Sequence, residues 1–261
     1  MGDIIFARPR HNYDSYVDLY SLIQLSGYPL IFADEIEPES DNCYIVTIYN
    51  GETQAGWDGA KARIVLLDME WHMDGLPPIP GVAEIWSPDA YVARKLGWRY
   101  VPMGGHRDLN LEPDVDCPKH YDVALLAYMG PPRRQQVQHW LSQRGVSFAP
   151  SGWGNERHAA LQQTRMMCHV HQLESVYTVA AQRFCLAAAY GMPLVTETLA
   201  DPGIFEHLVL MSDHAHYADF TAMWLGKNEP GDDNRLRDFG AALHYLLCIE
   251  KTFRKCVEAA L

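Results

Sequence analysis

Between Arg165 and Thr198 the chain reads RMMCHVHQLESVYTVAAQRFCLAAAYGMPLVTET, which sets His169, His171, Arg183 and Glu197 into a mostly apolar run. Histidine passes protons near neutral pH, arginine holds an anion as a fixed cation, and a carboxylate accepts paired hydrogen bonds. The pattern predicts a strand over Met166–His171, a helix starting near Ser175 and stopped by Gly191, and a second strand over Pro193–Glu197. A strand–helix–strand unit of this kind places ligands at the carboxyl ends of strands and anions at the helix N-terminus. His169 and His171 alternate along the expected strand and so should face opposite sides, which separates them as ligands of one metal ion. No metal site is expected. Arg183 would sit two turns into the helix, either reaching back to an anion or forming an internal ion pair with Glu197.

The elements around this unit repeat its plan. Apolar runs without two-residue alternation, DIIFAR, CYIVTIY, RIVLLDM and YDVALLA among them, alternate with helical spacing such as Leu19, Leu22, Ile23, Leu25. Such runs are strands of parallel sheets covered on both faces. Further strands are expected over Tyr28–Ala33, Val82–Trp86, Arg99–Met103, Val146–Ala149 and His207–Met211. Helices are expected over 54–62, from a Ser87 cap to Leu96, over Pro131–Arg144, about Asn155–Gln163, His216–Leu225, and Asp233 to the end. The irregular stretch from Gly104 to Lys119 divides an N-terminal Rossmann-like domain, 1–104, from a C-terminal one, 120–261, with 105–119 as linker. The expected fold class is therefore α/β, two Rossmann-like parallel-sheet domains facing each other across a cleft.

Composition excludes several classes. With 48% apolar and 21% charged residues the chain is of globular type, and no apolar run approaches the ~20 residues of a membrane span. Its opening, MGDIIFARPRHN, lacks the basic-then-apolar layout of a signal peptide, so the cytoplasm is the expected compartment. The 6 cysteines contain no CxxC pair and are expected as reduced, buried thiols. Net charge is −12, from 7 Lys+Arg against 15 Asp+Glu up to Gly104 (−8) and 14 against 18 beyond it (−4). An acidic surface repels polyanions, which argues against general nucleic-acid binding. Neither GxGxxG after the first strand nor GxxxxGK[ST] occurs, against a dinucleotide oxidoreductase or P-loop enzyme.

In the second half the order YDVALLAYMGPPRR, GVSFAPSGWGNER, MMCHVHQ, RFCLAAAYGMPLVTET resembles the donor-binding half of GT-B-type glycosyltransferases. More closely, it resembles a small group of bacterial and phage glycosyltransferase-like proteins. That group shares a Gly…Arg-Arg turn, a Gly-Trp-Gly turn, an Asn-hydrophobic-His strand end and an Arg…Ala…Gly-x-Pro helix–strand. ARPRHNYDSYVDLYSLIQLSGYP and EIWSPDAYVARKLGWRYVPMGG in the first half fit the same group. Two departures stand out. His169 takes the place of the group's asparagine. The paired glutamates of common retaining members would fall at Thr178 and Leu186, which leaves the stereochemistry open.

The resemblance implies a metal-independent glycosyltransferase with no permanently bound cofactor, using a nucleoside-diphosphate sugar, foremost a UDP-sugar. It implies a donor site in the second half, made of Gly130, Arg133, Arg134, Trp153, His169, His171, Arg183 and Glu197. There, Arg133 or Arg134 would stabilise the leaving diphosphate, Glu197 would bind ribose hydroxyls or serve the structure, and Trp153 would stack on the base or fill the core. The first half would hold the acceptor and the general base, with His11, Asp68 and His72 as candidates at strand ends. Arg8 and Arg10 would steer an anionic acceptor, and the phage likeness implies hydroxymethylated DNA as one such acceptor; the charge balance opposes it. A non-catalytic sugar-nucleotide-binding module and a nucleotide-sugar epimerase are the rival readings. No membrane partner is expected.

Overall fold

The computed structural model describes residues 2–10, 17–48, 56–69, 74–110, 117–150, 155–175, 177–227 and 233–261. The first lobe runs β1 (Ile4–Arg8), α1 (Val17–Leu25), β2 (Leu30–Phe32), β3 (Cys43–Ile48), β4 (Arg63–Asp68), β5 (Val82–Ser87), α2 (Ala90–Leu96), β6 (Arg99–Tyr100). The second runs β7 (Tyr121–Ala124), α3 (Pro132–Gln143), α4 (Asn155–Gln162), β8 (Thr164–His169), α5 (Ala181–Ala189), β9 (Leu194–Glu197), β10 (Leu210–Ser212), α6 (Tyr217–Trp224), α7 (Asp233–His244), α8 (Phe253–Ala260). Two separate sheets result, ordered β2-β1-β3-β4-β5-β6 and β10-β9-β8-β7, and every described pairing is parallel. The expected architecture of two parallel-sheet α/β domains is therefore what the chain forms. Each parallel sheet brings the carboxyl ends of its strands to one rim, so Arg8 and Asp68 end their strands on one rim, His169 and Glu197 on the other.

The strands are apolar throughout because both faces are covered. All six residues of β3 are buried, as are the last five of β4. Burying each Leu, Ile or Val side chain contributes roughly 1.5–3 kcal/mol.

Local boundaries differ from the sequence expectation where a distant partner decides them. α2 is capped by Asp89, whose carboxylate accepts from Val92 N–H at 2.8 Å, and not by Ser87. Residues 56–62 form turns rather than a helix, and 54–55 lie outside the described residues. Val146–Ala149 contributes a single bridge, Val123 to Phe148, in place of a strand.

The expected final helix is interrupted. α7 passes into a π-helical turn, Tyr245–Glu250, and α8 starts afresh with Thr252 as its cap. α8 returns to the first lobe, where Phe253 packs on Phe6 with ring centroids 5.5 Å apart and Tyr28 O–H donates to Arg254 O at 3.4 Å. The junction lies against the other interlobe crossing. Gly105 N–H donates to Leu247 O at 2.9 Å, and Phe253 N–H donates to Gly105 O at 3.1 Å. Gly104 is glycine for a steric reason, since a Cβ there would lie 1.9 Å from Lys251 O.

Candidate functional site

The carboxyl rim of the second sheet gathers five of the eight residues expected at a donor site into one chain of contacts. Its centre is Glu197, the last residue of β9, only 2% exposed. Arg133, in the first turn of α3, donates from Nη2 to Glu197 Oε1 at 2.6 Å and from Nε to Oε2 at 3.5 Å. The backbone N–H of His171 donates to Oε2 at 2.6 Å. His214 Nδ1 lies 2.6 Å from Oε1 and supplies another donor. The partner found for Glu197 is thus Arg133, where the sequence had suggested Arg183.

Arg183 has a different place from the one expected. α5 begins at Ala181, six residues later than the predicted start, so Arg183 lies in its first turn and not two turns in. Its Nη1 donates to His169 Nδ1 at 2.9 Å. The N-cap, Ala180, makes no side-chain capping bond, which leaves the helix end without a capping side chain and with a guanidinium beside it.

His169 and His171 do not face opposite sides. β8 ends at His169, so strand alternation no longer governs His171, and the two rings meet edge to face with centroids 5.1 Å apart. His169 accepts from Arg183 at Nδ1, which places its proton on Nε2; His171 Nε2 points to Thr198 O at 3.2 Å and donates to it. Burial, then Arg183 and His171, hold the His169 pKa well below its ordinary value; burial also lowers that of His171.

A pH dependence follows with a definite sign. Both imidazoles take up protons near pH 6.5 in the unfolded chain but only at lower pH in the folded one. Their contribution is complete above 6.5 and is lost as pH falls from there toward the folded values, at about 1.4 kcal/mol per pH unit for each. His216, exposed and raised by Asp213, works in the opposite direction. Urea midpoints measured from pH 7 down to 5 are expected to fall, and to fall less steeply in His169→Phe. Equal slopes would refute the assignment to His169.

Arg134 and Gly130 serve the framework of this rim. Arg134, 5% exposed, donates from Nε to Val170 O at 3.1 Å and from Nη1 to Tyr128 O at 3.0 Å, tying the loop after β7 to the loop after β8. A Cβ on Gly130 would lie 2.4 Å from the Tyr128 ring, so glycine leaves room for that ring, which is 78% exposed. Trp153 lies outside the described residues.

No protein-family model matches the chain, and no curated protein matches it either. Solved structures do. The phage T4 BGT in complex with UDP and Mn2+ matches with a TM-score of 0.56 at 11% identity, over 98% of this chain and 97% of that one. An alpha,alpha-trehalose-phosphate synthase (UDP-forming) from Burkholderia vietnamiensis gives 0.54 at 11%, over 96% and 79%. A DNA-modifying beta-glucosyltransferase gives 0.53 at 9%, over 99% and 98%. The fold is GT-B. At these identities the likeness speaks for architecture alone.

In this GT-B chain the first-lobe candidates are only partly described. His11 and His72 lie outside the described residues. Asp68 is fully buried at the end of β4. Arg8 and Arg10 both rest on the Phe32 ring, at 4.3 and 4.1 Å from its centroid. Arg10 also pairs with Asp34 at 2.9 Å and Glu35 at 3.6 Å, so its charge is matched by two carboxylates.

The GT-B lobes are joined by residues that sequence reading missed. Asp18 of α1 pairs with Arg157 of α4, with His158 Nε2 at 3.4 Å from the same carboxylate and His158 Nδ1 at 2.5 Å from Tyr190 Oη. Asp89 accepts from Val179 N–H at 2.6 Å, and Arg94 pairs with Asp201. Burial pushes the Asp89 carboxyl up, against the N–H groups of Val179 and Val92 that hold its anion. His214 was missed too, although its place just beyond β10 follows from the rule that flagged Glu197. Among the described residues no three His, Cys, Asp or Glu are grouped to hold a metal ion, and no helix is long and apolar enough to cross a membrane.

Proposed function

We propose that the protein is a glycosyltransferase that moves a sugar from a nucleoside diphosphate, foremost UDP, to an acceptor hydroxyl in the cytoplasm, without a metal ion. The observation that carries this reading is the placing along one rim of Arg133, held on Glu197, and of Arg183, held on His169 in the first turn of α5, whose N-cap makes no side-chain capping bond. A departing nucleoside diphosphate gains negative charge as the glycosidic bond breaks. Preorganised cations and helix N–H groups stabilise that charge most strongly where water is excluded. The GT-B architecture and its UDP-bound phage neighbour support a nucleotide at this rim.

In this reading the donor lies with residues 120–261, the acceptor with 1–104, and 105–119 links them. The general base comes from His11, Asp68 or His72, and Arg8 and Arg10 face the acceptor. DNA is the acceptor suggested by the DNA-modifying neighbour, and the sequence resemblance implies a hydroxymethylated base of it. The net charge of −12 and the pairing of Arg10 with Asp34 and Glu35 weigh toward a smaller acceptor.

Thermal melts against UDP-, GDP-, CDP- and ADP-sugars test the donor. A ligand at a hundred times its Kd contributes about 2.7 kcal/mol, which raises the midpoint by roughly 5–10 °C for a chain of this size. No shift with any nucleotide would refute the proposal. A shift with slow donor hydrolysis, unchanged by a chelator, is the expected result. Binding without hydrolysis would point to a binding module, and an altered sugar to an epimerase. Adding hydroxymethylated or unmodified DNA to the same reaction identifies or excludes the DNA acceptor.

A further inference from the structure

Glu197 has more donors than a ligand-binding carboxylate can keep. A carboxylate offers about four lone-pair directions. Arg133 takes two of them, at 2.6 and 3.5 Å, the His171 backbone N–H a third at 2.6 Å, and His214 Nδ1 a fourth at 2.6 Å. A ribose presents two adjacent O–H donors, and neither can be accepted while all four contacts stand. At least one partner has to leave for the first of them to bind.

The three partners are not equally held. The His171 N–H is backbone, fixed by the end of β8. Arg133 grips with two nitrogens of one planar fork, which is lost less readily than a single bond. His214 is attached to Glu197 by one nitrogen. Its ring lies against Trp140 at 5.3 Å, and its outer nitrogen faces Gln136 Oε1 at 3.4 Å on the exposed side. It is the weakest-held member and the one nearest solvent.

We propose that His214 gates the donor site: it occupies the edge of Glu197 that the ribose diol of a nucleotide takes, and it swings off when the nucleotide binds. The proposal rests on the donor reading above and adds a competitor to it. Ribose hydroxyls then contribute less to affinity than their bonds to Glu197 would alone, because each nucleotide bound breaks the His214 contact. Removing the imidazole removes the competitor, so the diol becomes more valuable while the phosphate contacts are untouched.

The test compares UDP with 2′,3′-dideoxy-UDP by calorimetry on the whole chain. Wild type is measured beside His214→Ala and His214→Leu, the second filling more of the ring's volume should the first fold poorly. In both variants the affinity ratio of UDP to the dideoxy compound is expected to rise about fivefold, the value of one ordinary hydrogen bond. A purely structural role for His214 would weaken both ligands alike and leave the ratio where it was. That unchanged ratio, with UDP still bound, overturns the gate and leaves the donor reading standing. Failure of the wild-type protein to bind either compound overturns both.

Discussion

Replacing Arg157 by methionine is expected to lower the unfolding free energy by about 3–5 kcal/mol, because it strands a buried carboxylate. Asp18 and Arg157 are 4% and 5% exposed, one in the first turn of α1 and the other in the first turn of α4. The pair joins an element of the first lobe to an element of the second. Without Arg157, Asp18 keeps His158 at 3.4 Å, a partner that is itself engaged by Tyr190. The double variant Asp18→Asn with Arg157→Met is expected to recover most of the loss, since desolvating a neutral pair costs far less than stranding one charge. Urea unfolding of the wild type, the two single variants and the double variant measures the coupling. Additive losses would show that the two residues do not act as a pair.

Architecture was legible because its signal is local and repeated. Runs such as CYIVTI and RIVLLD have no polar face to offer water, so they need a sheet covered on both sides, and they formed one. The residues of the second rim were legible for a related reason. A charged residue that ends an apolar strand, as Glu197 does, stands where parallel sheets present their ligands. What failed was decided by partners far away in sequence. The expected helix includes Val176–Ala180, yet this run is mostly β-branched and aromatic, Val179 N–H is spent on Asp89 of the other lobe, and the helix starts only at Ala181. That shift moved Arg183 from the middle of a helix to its first turn. The two residues by which β8 stops short of the expected His171 were enough to bring His169 and His171 together. His214 escaped notice because β10 was read over His207–Met211, whereas it covers Leu210–Ser212. The break before α8 depends on a crossing at Gly104 and Gly105, about 150 residues away along the chain.

The adjacent arginines of α3 are expected to part company when each is changed to alanine, although the sequence offered them as equivalents. Arg134→Ala leaves the carbonyls of Val170 and Tyr128 without the donor that bridged them. A buried acceptor left unsatisfied costs about 1–3 kcal/mol, so the loss at the buried Val170 carbonyl should lower the urea midpoint clearly and leave UDP affinity in the remaining folded protein less affected. Arg133→Ala removes a side chain that turns toward the rim. Arg133→Ala also lowers stability, since it breaks the ion pair of a buried carboxylate, although Glu197 keeps the His171 N–H and His214 as donors. Its loss of UDP affinity should be the larger, about ten- to a hundredfold, as for a hydrogen bond to a charged group. Calorimetry with UDP beside urea unfolding separates these outcomes. If Arg133→Ala binds UDP as the wild type does, the guanidinium belongs to Glu197 alone. The positive charge opposite the diphosphate would then have to come from Arg183 and the α5 N-terminus, which Arg183→Ala would test in the same assay.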